Sequence, residues 1–160
     1  MSIDFRLADW NNPKDCDTVF VLLDSYARDP MGGSQALDPS VKEKLPRAMA
    51  TTPGAFSVIG FDGAQPVSLA NCFTTLSTFA CKPLVNIHDL AVISGMRGRG
   101  VGQQTLAFVE GHAKELGACK VTLEVLTGNT NAMRAYESFG FKPYTLDEST
   151  GHAVFMHKTL

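Results

Sequence analysis

What this sequence lacks narrows it first. No apolar run approaches the roughly 18 residues that a membrane-spanning helix needs. The chain opens Met1-Ser2-Ile3-Asp4-Phe5-Arg6, without a basic start leading into an apolar stretch, so no signal peptide is expected and a cytoplasmic location is. An excess of one charge is also missing: 14 Lys and Arg stand against 16 Asp and Glu, a net −2. A nucleic-acid binder concentrates positive charge, so that class is set aside. Cysteine is scarce and scattered. The four thiols, at 16, 72, 81 and 119, form no close pair, and the four histidines, at 88, 112, 152 and 157, have no ligand spacing. Neither a metal site nor a disulfide framework is expected. Free cysteine behaves as a small hydrophobe, so the four are expected to be buried or half-buried in a reducing compartment. Repeats and low-complexity tracts are absent. What is present, 160 residues of which 44 % are hydrophobic and 19 % charged, suffices for one core in a single domain over 1–160.

The apolar period assigns the elements. Residues 3–7 alternate as a strand does. Val19, Leu22, Leu23 and Tyr26 recur at helical spacing over 13–26, with Pro13 suited to a first turn. Residues 28–34 carry Pro30, Gly32 and Gly33 and read as a loop. A second helix begins near Ser40 and ends before Pro53-Gly54. Residues 55–61 and 66–75 flank Asp62-Gly63, a hairpin signal. Residues 84–93 form a further strand, interrupted by His88 and Asp89. Positions 101, 105, 108, 109, 113 and 116 mark one face of a helix that Gly117 ends. Strand 121–126, helix 131–139, and an antiparallel pair near 142–146 and 153–158 complete the chain. Alternating strands and helices around one sheet make an α/β or α+β domain.

The most informative stretch runs from Asp89 to Gln103. A strand passes through a short turn into Arg97-Gly98-Arg99-Gly100-Val101-Gly102-Gln103, and an amphipathic helix follows at once. The first turn of a helix has unpaired N–H groups and the positive end of the dipole. Glycine lets a bulky anion approach that backbone. A dinucleotide fingerprint would need a third glycine at 103 or 105, where Gln and Thr stand. No Gly-Lys-Ser/Thr of a P-loop occurs either.

This segment resembles the Q/R-x-x-G-x-G/A motif of the GNAT family of N-acetyltransferases. Downstream, Asn129-Thr130-Asn131-Ala132-Met133-Arg134-Ala135-Tyr136-Glu137-Ser138-Phe139-Gly140-Phe141 is similar to that family's N-x-x-A-x-x-x-Y-x-x-x-G-F signature. Upstream, Ile87-His88-Asp89-Leu90-Ala91-Val92 is similar to its central strand. The motifs cover roughly residues 84–144, and the first 80 residues match in element order alone. The resemblance implies a mixed, mostly antiparallel sheet of six to seven strands with a splayed central pair, flanked by about four helices.

It also implies roles. Acetyl-CoA would be the acyl donor, with Leu90, Ala91 and Val92 pairing with pantetheine as an added strand does. Arg97, Gly98, Arg99, Gly100, Val101, Gly102 and Gln103 would hold the pyrophosphate. Asn129 would contact the pantetheine arm, with Ala132 and Tyr136 on the same signature. Tyr136 would be the general acid, since a phenol of pKa near 10 can protonate a leaving thiolate. The attacking amine must be neutral, which calls for a base. His88 and Asp89 are the candidates, and Glu124 is a weaker one. Relatives often carry an acidic residue where His88 stands, so this position departs from the family. The loop from Tyr26 to Gly33 would line the acceptor side, with Ser77-Thr78-Phe79 near it. Arg134 would either meet the adenosine phosphate or sit on a solvated helix face. The acceptor would be a small-molecule or peptide amine, and homodimers are common in the family. Nucleic acid and membrane are not expected partners. The competing reading is a non-catalytic acyl-CoA-binding sensor of the same fold.

Overall fold

In the computed structural model, which describes residues 2–160, the changes of sequence period become changes of element as far as Phe139. The order is β1 (Asp4–Leu7), α1 (Pro13–Ala27), α2 (Ser40–Thr51), β2 (Ala55–Asp62), β3 (Gln65–Ser77), β4 (Lys82–Val92), α3 (Val101–Glu115), β5 (Val121–Leu123) and α4 (Thr130–Phe139). Short 3-10 turns lie at Ser94–Met96 and Glu148–Thr150. Two compact units hold these elements. Residues Met1–Leu123 contain the whole sheet with α1, α2 and α3, and Glu124–Leu160 contain α4.

The sheet runs β1-β2-β3-β4-β5. Its first three junctions are antiparallel and the last, β4 with β5, is parallel. Successive side chains of β3 point to opposite faces. Leu69 packs with Ile59, Ala91 and the α1 residues Val19 and Leu22. The hydroxyl of its neighbour Ser68 instead accepts from Thr105 of α3 at 3.0 Å. Helices α1 and α3 therefore cover opposite faces. Helix α3 buries Val101, Thr105, Leu106, Val109 and Ala113, close to the stripe expected from the sequence.

Helix α1 begins at Asn12, whose side-chain oxygen accepts from the Lys14 N–H at 3.1 Å. Its buried Asp15 is held by Arg6 of β1, which donates to both carboxylate oxygens at 2.6 and 2.7 Å. The Asp9 N–H adds a third bond at 2.8 Å. The Arg6 bonds outweigh the burial and hold this carboxyl below the usual carboxylate range.

Three expectations are corrected. Residues 142–146 and 153–158 form no strands, so the sheet has five strands rather than six or seven. The Ala153 N–H does donate to Tyr144 O at 2.9 Å. However, Leu146, Val154, Phe155 and Met156 are all exposed, and a two-stranded ribbon without a buried face is marginal in water. The strand expected over 121–126 stops at Leu123, which leaves Glu124 beyond it. Of the four thiols, Cys72 is buried and Cys16 half-buried, but Cys81 and Cys119 are exposed.

Candidate active site

The polar interruption in β4 is a bulge. Asn71 of β3 pairs with Asp89, yet the next residue, Cys72, pairs with Ile87. His88 is the extra residue and has no partner in β3. A bulge breaks the strict alternation of side chains. Accordingly His88 and Asp89, neighbours in sequence, both meet the same row of β3. The His88 ring stands edge-on to Phe73 with centroids 5.6 Å apart, and Asp89 Oδ2 accepts from Asn71 Nδ2 at 3.0 Å. Asn71 and Phe73 are two apart and share a face. Asn71 is buried, and its Oδ1 accepts from the buried Ser57 hydroxyl at 2.5 Å. That bond turns the Asn71 amide N–H groups toward Asp89. His88 is exposed and Asp89 half-buried.

On its other side β4 pairs with β5 only through Val85, Asn86 and Ile87. The splay expected for the central pair therefore starts at His88. The Ile93 N–H turns toward β3 and donates to Val67 O at 3.0 Å. Alternation then directs the N–H and C=O groups of Leu90 and Val92 outward. Ala91 lies between them with its backbone toward β3 and its side chain among Val19, Leu22, Ile59 and Leu69.

The strand ends in the glycine turn. Gly100 is the N-cap of α3 with φ of 79°, a conformation that a side chain strains. Helical bonding begins with the Gln104 N–H, which donates to Gly100 O at 3.1 Å. The N–H groups of Val101, Gly102 and Gln103 are the first turn of this helix, whose dipole favours an anion. A Cβ on Gly98 would meet nothing within 4 Å, and one on Gly102 would lie 3.8 Å from Val92 Cγ2. The backbone here is thus bare toward solvent and close to the end of β4.

The loop after α1 is tied to the same place. Arg97 Nε donates to Val92 O at 3.0 Å, and its Nη1 pairs with Asp29 Oδ2 at 2.8 Å. The Met31 N–H and then Arg97 hold the Asp29 carboxyl below its ordinary range. Tyr26, at the end of α1, is half-buried. Burial, with the Asp89 and Asp29 carboxylates behind it, pushes its phenol pKa up. The segment Ser77-Thr78-Phe79, expected near this loop, is at the opposite end of β4, because Ser77 pairs with Lys82. Ten residue steps separate Lys82 from Val92, about 33 Å along a strand.

The second unit carries the other signature. The Asn129 side chain accepts from the Ala132 N–H at 3.2 Å and caps α4. Gly140 closes the helix with φ of 112°. The Tyr136 ring meets Phe141 edge-on, with centroids 6.0 Å apart. Arg134 is exposed on the same helix. Sequence reading missed Ser57 and Asn71. The available signal was a lone amide inside the apolar run from Val67 to Phe73.

Those features coincide with known proteins. A model described as "Acetyltransferase (GNAT) family" matches residues 21–141, and the chain belongs to that family. A streptothricin acetyltransferase from Streptomyces lavendulae is 34 % identical over 94 residues, which cover 59 % of this chain and 47 % of that protein. The chain thus spans less than half the length of this curated relative. The crystal structure of a transcriptional regulator from Bacillus halodurans C-125 is alike with a TM-score of 0.79 at 20 % identity, covering 98 % of this chain and all of that one. An aminoglycoside acetyltransferase from an uncultured soil metagenomic sample, in complex with trehalose, has a TM-score of 0.78 at 16 % identity, covering 99 % and 96 %. At such identities these two structures show a shared fold. No helix among the described residues is long and apolar enough to cross a membrane.

Proposed function

We propose that this protein transfers the acetyl group of acetyl-CoA to a primary amine, of a small molecule or an exposed protein amine, by direct attack in a ternary complex. One observation carries the reading: the outer edge of β4 opens at His88 and runs directly into the bare glycine turn and the first turn of α3. The residues present fit the donor. Leu90 offers its N–H and C=O and Val92 its N–H for the pantetheine arm, and Gly98 to Gln103 offer N–H groups for the pyrophosphate. Acetyl-CoA supplies an activated thioester. A backbone N–H near Val92 holds the negative charge that develops on the acetyl oxygen.

The amine must shed its proton before attack. His88 takes that proton directly or through water, with Asp89 as the alternative base on the same face of the bulge. Tyr136 returns a proton to the departing sulfur. We read residues 1–160 as one N-acetyltransferase domain, with Asn129 and Ala132 assigned to the donor by their place in the signature. The exposed thiols of Cys81 and Cys119 suit a reducing compartment and support a cytoplasmic location. A homodimer is part of this reading through its family.

Calorimetric titration with CoA tests the donor. Free-thiol release from acetyl-CoA, mixed with a panel of amines, polyamines, amino acids, aminoglycosides and N-terminal peptides, tests the reaction. Binding together with thiol release is the expected result. Binding without release for any amine would favour the acyl-CoA sensor, and absence of binding would overturn both readings.

A further inference from the structure

The glycine turn carries two arginines, and the resemblance assigns both to the donor's phosphates. Their surroundings differ. Arg99 forms no ion pair among the described residues, whereas Arg97 is engaged at both ends of its guanidinium. Nε is bound to Val92 O at 3.0 Å and Nη1 to Asp29 Oδ2 at 2.8 Å. Two bonds on a rigid planar fork fix its orientation.

The partner at the far end is built to receive it. Asp29 Oδ1 accepts from the Met31 N–H at 2.9 Å. Its main-chain oxygen accepts from the N–H groups of Gly32 at 2.8 Å and Ser34 at 3.1 Å. The loop winds so closely that a Cβ on Gly32 would lie 1.9 Å from Tyr26 O. Residues 28–34 are therefore a compact turn gathered around one aspartate. The ion pair of Asp29 reaches out of the loop to the end of β4.

We propose that Arg97 is a positioning residue that pins the acceptor-side loop to β4 through Asp29, and that it is not a ligand of the donor's phosphates. The inference rests on the acetyltransferase reading for what the loop lines, and on observed contacts for the strut. Arg99 and the backbone N–H groups of the turn are left to meet the pyrophosphate. The loop that walls the acceptor side of Tyr26 and Asp89 is in place before the donor arrives.

The test compares Arg97→Gln, Arg97→Lys and Asp29→Asn in the full chain. Two readouts are used, hydrogen exchange of the Gly32 and Ser34 amides and calorimetric affinity for CoA. Arg97→Gln should speed exchange at both amides by about tenfold, a typical consequence of losing one partner of a charged hydrogen bond. Arg97→Lys, which can restore the charge pair with Asp29, should recover part of that protection. The double variant Arg97→Gln/Asp29→Asn should exchange no faster than the faster single variant, because both changes break one contact. CoA affinity should stay within about threefold of wild type in every case. Unchanged exchange in Arg97→Gln overturns the strut. A tenfold or greater loss of CoA affinity in Arg97→Gln, absent in Asp29→Asn, overturns the exclusion of Arg97 from the phosphates. If the wild-type chain itself binds no CoA, the acetyltransferase reading fails, while the exchange experiment still decides whether Arg97 holds the loop.

Discussion

Two helices carry the two family signatures, and they are held by different means. Helix α3 starts at a left-handed glycine with no side-chain cap, yet it buries five residues against the sheet. Helix α4 has an Asn129 side chain at its start and a left-handed Gly140 at its end, yet it buries none. Tertiary burial secures the first, and local caps secure the second. The lesson concerns how a functional segment tolerates change. Where packing anchors a helix, its N-terminus is free to leave N–H groups unpaired for an anion. Where caps anchor it, the side-chain oxygen of Asn129 satisfies one of the helix's own N–H groups.

The first and largest expected effect exploits the packed helix. Gly100→Val places a branched side chain at φ of 79° at the N-terminus of α3. The variant should stay folded, because Val101, Thr105, Leu106, Val109 and Ala113 still anchor α3. CoA binding should fall by about 100-fold or more, read by calorimetry beside circular dichroism. Unchanged affinity in a folded variant would reduce the glycine to a turn-former.

A second change addresses the capped helix. Tyr136→Phe keeps the ring that packs on Phe141 and removes the hydroxyl alone. Melting temperature and CoA affinity should hold, while kcat falls by about 10²-fold, within the range for a proton-transfer group. Near-normal turnover with an identified acceptor would assign the acid to water.

Next in size is a stability effect confined to the packed unit. Asp15→Asn removes the charge that draws two Arg6 bonds and one backbone bond. Bonds to charged groups are worth about 1.5–3 kcal/mol, so a loss of about 2 kcal/mol at pH 7 is expected by denaturant melting. The sign with pH follows from the lowered carboxyl pKa of Asp15. Its contribution is complete above the unfolded value near 3.9 and is lost as pH falls through the lower folded value. Wild type and variant should therefore converge only in strong acid. A constant gap down to that range would assign the effect to packing.

The smallest effect tests the caps directly. Asn129→Ala should cost about 1 kcal/mol, the usual worth of an N-cap side chain. The loss should appear as faster amide exchange at the start of α4 and leave the α3 amides unchanged. Equal loosening of both helices would contradict the contrast drawn between them.

Much of this molecule was legible in its residues. The amphipathic stripe of α3, the Asp62-Gly63 turn and the change of period between helices and strands are local signals, and the elements follow them within a few residues. The glycine turn was legible because a left-handed N-cap favours glycine, and Gly100 takes that conformation with φ of 79°. The tail was misread for a related reason. Alternation over 153–158 reports what a strand would look like, but a strand also needs a partner and a face to bury, and neither is encoded in the segment itself.

Tertiary structure decided the rest. The bulge that brings His88 and Asp89 to one face depends on the register between β3 and β4, a pairing across some 18 residues. The Ser57–Asn71–Asp89 chain depends on three strands lying side by side. In sequence Arg97 is one of two cations in an anion-binding motif. In the fold it faces Asp29, 68 positions earlier, because the loop after α1 returns to the end of β4. Local composition sets which groups can donate, accept or approach closely. Which of them meet is a property of long-range pairing, whose energy comes from burying surfaces far apart in the chain.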